Sequence, residues 1–182
     1  ITNESKPNTD LGAAKLGGTI ALGGGTDKLV FDGDTEVSAD ITKYNGTKLD
    51  IEVKNGTTEF SGNISYTMDG IYDDERIAAD EAATANGIAN TDLTITDATL
   101  NIAEGSKLDV NKVTIGNAVV NGEFDAQTVA VNKGTVVFEK DETFRGDLAV
   151  EGANTVLNAQ NVTVEGNVDV EGTMNAKVVD AQ

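Results

Sequence analysis

Apolar residues recur at alternate positions in short bursts along this chain. The clearest burst lies between Gln160 and Asp180, where Val162 and Val164, Val168 and Val170, and Met174 and Ala176 form three pairs at six-residue intervals, with Gly166 and Gly172 in the gaps. Alternation over three residues is the pattern of a short strand with one buried face. A glycine after each strand allows a sharp bend. Three such strands with bends between them predict one turn of a β-solenoid.

The same pattern extends backwards. Ile1–Asp10 is polar and is expected to be a frayed lead-in. A short strand is predicted around Ile20 and Leu22, then one at Leu29 and Phe31, with Asp32-Gly33-Asp34 as a turn. Val37, Ala39 and Ile41 alternate next, then Leu49, Ile51 and Val53, then Phe60, Gly62, Ile64, Tyr66 and Met68. Asn45-Gly46 and Asn55-Gly56 are turn signals. Residues 69–90 break the alternation: they are rich in alanine and charge, and predict an inserted acidic loop with two or three helical turns within Asp73–Ala85. From Thr91 the short strands resume and continue to the closing stretch.

The pairs Leu108/Val110, Val129/Val131, Leu148/Val150 and Val168/Val170 follow one another at offsets of 21, 19 and 20, and Leu29/Phe31 precedes Leu49/Ile51 by 20. A recurring offset near twenty is the mark of stacked repeats. It predicts an all-β chain, a right-handed parallel β-helix of one domain over residues 1–182, with about eight coils and a rod of roughly 40 Å at ordinary strand spacing. The right hand is preferred because unequal offsets break the strict six-residue rhythm of left-handed hexapeptide helices. A β-sandwich with strands about ten residues apart is the competing architecture. Short strands, few aromatics and the six-residue pair spacing count against it. A stacked rod leaves strand edges open at both ends, so the chain is expected to be a segment of a longer solenoid or a subunit that joins end to end.

Composition narrows the function. Asp plus Glu number 31 against 13 Lys plus Arg, a formal charge of −18. That charge opposes binding to nucleic acid or anionic membrane. No apolar run approaches the ~20 residues of a membrane helix. There is no Cys and no His. Disulfides, thiolate metal sites and Ser-His-Asp or Cys-His catalysis are therefore excluded. Aromatics are 4%, so layered Val, Ile, Leu and Ala must form the core. The polar start, without Met or signal peptide, is expected of a piece of a longer chain.

The stretches Gly56–Ser65, Gly134–Leu148 and Val162–Ala176 resemble passenger domains of type V autotransporters, the bacterial adhesin class, in their Gly, Thr, Asn, Val and Asp richness, scarce Cys and irregular repeats of about twenty residues. The closing VEGNVDVEG is also similar to bactofilins, polymer-forming cytoskeletal β-helices. The first resemblance implies an extracellular, outer-membrane-anchored location and attachment to a host or bacterial surface protein, a glycan, or another copy of the chain.

Three site readings follow. Tyr66, Tyr72 and Arg76 flank or occupy the insert. Tyr and Arg are enriched in contact hot spots, so these three are the candidate binding residues. Asp32, Asp34 and Glu36, and Asp73, Asp74 and Glu75, offer carboxylates to Ca²⁺, but neither run fits a calcium-loop template. Solvated turn carboxylates are the preferred reading, and no cofactor is expected. A polysaccharide-active enzyme would need paired carboxylates at fixed separation. With two arginines, Arg76 and Arg145, and few rings for sugar stacking, no catalytic residue is assigned. Asn55, Asn63, Asn101, Asn121, Asn132, Asn161 and Asn167 lie at or near bends. They are expected to tolerate left-handed backbone and to stack as amide ladders. The leading expectation is a non-enzymatic adhesin stalk, with a structural polymer or surface-layer subunit second.

Overall fold

The computed structural model describes residues 13–22, 26–43, 48–66, 91–106 and 108–182. All regular structure within them is β: β1 (Ala14–Leu16), β2 (Thr19–Leu22), β3 (Thr26–Asp32), β4 (Thr35–Val37), β5 (Asp40–Lys43), β6 (Lys48–Phe60), β7 (Ile64–Tyr66), β8 (Thr91–Ile102), β9 (Asp109–Gly116), β10 (Val119–Asn121), β11 (Asp125–Lys133), β12 (Thr135–Phe138), β13 (Glu142–Val150), β14 (Val156–Val164), β15 (Val168–Val170) and β16 (Thr173–Ala181). Every pairing between them is parallel. The chain is a β-solenoid of about seven turns, not a sandwich.

Side chains of equivalent positions stack along the axis. Leu29, Ile51, Leu93, Val113, Val129, Leu148 and Val168 are consecutive register partners, one per coil. Phe31, Val53, Ile95, Ile115, Val131, Val150 and Val170 form the column beside them. Ile51, Leu93, Val113, Val129 and Leu148 are buried. Removal of these side chains from water drives the stacking, and the parallel ladders satisfy the backbone groups that go with them.

The described residues form about seven coils, where about eight were expected. Strand β8 lies directly on β6, from Leu49 opposite Thr91 to Phe60 opposite Ile102. Residues 67–90 therefore leave the stack unbroken. The helical turns expected within 73–85 lie outside the described residues. Two register expectations also change. Leu29 pairs with Ile51 rather than Leu49, and the place beneath Val129/Val131 is taken by Val113/Ile115 rather than Leu108/Val110. The first is a slip of two residues, which keeps every side chain on its own face, so alternation by itself cannot distinguish the two registers. The second is a shift of five: Leu108 precedes β9, and Val110 pairs with Ala126 instead.

The closing coil follows the expectation. Val162 and Val164 stack on Glu142 and Phe144, Val168 and Val170 on Leu148 and Val150, and Met174 on Leu157. Val170, Val178 and Val179 on this coil are 42–54% exposed.

One corner of the solenoid is a column of left-handed residues. Gly33, Asn55, Asp97, Asn117 and Gly134 have φ of 89°, 54°, 53°, 52° and 64°. The flanking ladders place each above the last. Asn and Asp are the non-glycine residues that best tolerate this conformation.

Candidate functional site

The sequence-predicted binding residues are Tyr66, Tyr72 and Arg76. Tyr72 and Arg76 lie outside the described residues, and of Tyr66 only the backbone, at the end of β7, is described. The Asp32–Glu36 run is committed elsewhere. The Asp32 carboxylate accepts from Asn55 Nδ2 at 2.8 Å, and Lys54 Nζ lies 3.6 Å from it. Asp34 accepts the Thr57 backbone N–H at 2.9 Å, and Glu36 pairs with Lys15 at 2.7 Å. These carboxylates clip coils together. Asp73, Asp74 and Glu75 are outside the described residues. Among the described residues no three acidic side chains converge on a common metal position.

The asparagine ladders take a different form from stacked amides. In most rungs the acceptor is a carboxylate one coil earlier. Asn63 donates from its backbone and its side chain to Asp40, and Asn167 does the same to Asp147. Asn117 donates to Asp97 at 2.9 Å, Asn101 to Glu59 at 2.6 Å, and the Asn161 backbone N–H to Asp141 at 3.2 Å. Asn175 to Asn158, at 2.9 Å, is an amide–amide rung. Charge-assisted bonds are the stronger kind, so the abundant acidic residues contribute to cohesion.

The most unusual position is Glu142, which sequence reasoning passed over. It opens β13 on the inward face, two residues before Phe144 and directly beneath Val162. Its neighbours in alternation, Phe144 and Leu148, belong to the core, and Glu142 itself is only 2% exposed. Neither carboxyl oxygen makes a hydrogen bond of ordinary geometry. Burial pushes the carboxyl up to about 9; the nearby Phe124 backbone N–H offsets part of the rise, and the charges of Glu123 and Asp141 add to it. A glutamate at neutral pH is here a neutral acid.

Glu142 forms part of the wall of a recess of about 670 Å³ at the corner leading into β11 and β13. Ser106, Leu108, Glu123, Phe124, Asp125, Asp141, Thr143, Arg145 and Glu165 complete the lining. Phe124 is buried, its ring 5.9 Å from Phe138 and 5.4 Å from Phe144, so this wall is held by a three-ring cluster. Arg145 Nε donates to Asp125 at 2.6 Å. The alternation DETF at Asp141–Phe144, with an acid in an inward slot, was the available signal. It was missed because polar residues in short strands are assigned to the outer face by default.

No known protein family, curated protein or solved structure matches the chain.

Proposed function

We propose that this chain is a non-enzymatic stalk segment of a bacterial cell-surface adhesin, extracellular, which holds a laterally inserted loop away from the cell. The observation that carries the reading is the unbroken passage of the stack from β6 to β8 across residues 67–90. A solenoid that continues past an insertion can offer it to a partner without spending its own core on recognition. The partner class is a surface protein, a surface glycan or another copy of the chain. Deleting residues 69–90 is expected to leave the unfolding midpoint nearly unchanged and to abolish attachment by cells displaying the chain. Collapse of the fold on deletion, or attachment that survives it, overturns the reading.

A second reading, a subunit of a structural polymer or surface layer, is favoured by one observation. Val170, Val178 and Val179 on the closing coil are exposed on strands that pair on one side among the described residues, and strand edges recruit further strands. Light scattering distinguishes the two. A polymer subunit elongates with concentration, whereas a stalk segment stays at the mass of one chain.

A further inference from the structure

The recess beside Glu142 has no part in a stalk or in end-to-end joining, and its chemistry is specific. Four charged carboxylates, Glu123, Asp125, Asp141 and Glu165, line it with a single cation among the described lining residues, Arg145. Arg145 is bound to Asp125, and Asp141 accepts one backbone N–H from Asn161. Glu123 and Glu165 take part in no ion pair among the described residues. Acidity of this kind is common on a chain of charge −18 and would carry nothing alone. The second feature is Glu142, whose two buried oxygens make no hydrogen bond of ordinary geometry, the Phe124 backbone N–H being its one nearby donor among the described residues. A buried polar group without a hydrogen bond costs free energy, and that cost is relieved when a donor reaches it.

The nature of the donor follows from the walls. A metal ion is a poor fit, because no three acidic groups among the described residues converge on one point and the recess is far larger than an ion. Leu108 and Phe124 give it an apolar side, which suits a methylene stem that ends in a charge. We propose that this recess receives a lysine or arginine side chain from a basic segment of a partner protein, with Leu108 and Phe124 against the stem, Glu123, Asp141 and Glu165 around the head, and Glu142 as the buried anchor. The contact between Arg145 and Asp125 shows the same corner already holding one such cation. Docking of the cation favours the ionised form of Glu142, so binding releases a proton and tightens as pH rises towards about 9. The charges facing Glu142 in this process are Glu123 and Asp125 on one coil, Asp141 and Arg145 on its own, and Glu165 on the next.

The test is calorimetric titration of the full chain with a capped lysine-rich hexapeptide, in about 150 mM salt to screen diffuse attraction. It is run between about pH 6 and 9 in two buffers of different ionisation enthalpy. The wild-type chain is expected to bind, to release up to one proton at neutral pH, and to gain at most about tenfold in affinity per pH unit. Glu142→Gln carries the same charge as the neutral acid and keeps the rim. It is expected to lose about tenfold or more in affinity at pH 8, together with the proton release. Glu165→Gln, an exposed change that leaves the core intact, is expected to weaken binding about threefold while proton release persists. Absence of peptide binding by the wild-type chain overturns the proposal. So does equal binding by wild type and Glu142→Gln with no proton released, which would mean diffuse acidity. Calcium binding that depends on Glu142 without peptide binding would replace it with a metal site.

Discussion

Glu142 shows how one residue can set the pH response of a whole stack. In the unfolded chain its carboxyl titrates near 4.5, and in the folded chain near 9. Between those values the folded form keeps a proton that the unfolded form has released. The contribution to stability is therefore fully present below about pH 4.5 and is lost as pH rises through about 9. The loss is at most about 1.4 kcal/mol per pH unit inside that window. Glu142→Gln cannot ionise and escapes it. Thermal unfolding of the two chains should give similar midpoints at pH 4 and a higher midpoint for the variant at pH 8. A variant less stable than wild type at pH 8 would mean that the carboxyl is satisfied in the folded chain. The three-ring cluster of Phe124, Phe138 and Phe144 places the acid against a rigid wall, so little local relaxation is available to ease its burial.

The corner column is the element on which the coils turn. Asn117 sits in it at φ 52° and donates to Asp97, itself at φ 53°, one coil below. Lys133 reaches the same carboxylate at 3.3 Å, and these two hydrogen bonds, Asn117 first, hold Asp97 below the usual carboxylate range. Asn117→Ala loses both the backbone tolerance and the bond, and the backbone part alone is expected to cost about 1–2 kcal/mol. Asn117→Gly should recover the backbone part and fall short of wild type only by the exposed hydrogen bond. Chemical denaturation of the three chains checks the order; a glycine variant no better than alanine would leave left-handed backbone out of the account. Legibility follows from the same geometry. The alternation of Val162, Val164, Val168 and Val170 was readable because each inward slot is filled by an aliphatic residue. The bend at Asn55-Gly56 was readable because few residues accept positive φ. The choice between Leu49 and Ile51 as partner of Leu29 was not, since both are inward and buried. Nor was the Asp-to-Asn form of the rungs, which appears only once coils of unequal length are aligned. Glu142 was legible only through its neighbours: its inward slot is defined by the register of Phe144 and Val164, not by its own chemistry.

On the scale of the molecule, stability is a sum over coils and the contacts between neighbours, so a coil should be removable if the cut respects the columns. Val129 lies beneath Leu148 and Ala130 beneath Ala149. Excising residues 130–148 joins Val129 to Ala149, which then takes the place of Ala130 above Thr114, with Val150 above Ile115. On a second face Ala126 gains Val164 as neighbour in place of Phe144, a fit between a small and a medium residue. The excision also removes Glu142 and the recess, so the shortened chain should lose the falling limb of stability towards alkaline pH. It is expected to fold, to give the same β-rich circular dichroism, and to be shorter by about 4.8 Å, one strand spacing, in solution scattering. The comparison that gives this force is an excision longer by one residue, 130–149. That cut joins Val129 to Val150, placing an aliphatic core residue in the outward slot of Ala130 above Thr114 and leaving the inward slot above Ile115 to Glu151, an exchange of faces. The in-register chain should unfold cooperatively near the wild-type midpoint while the shifted one aggregates or melts far lower. Equal behaviour of the two would mean that the coils are not held by aligned columns.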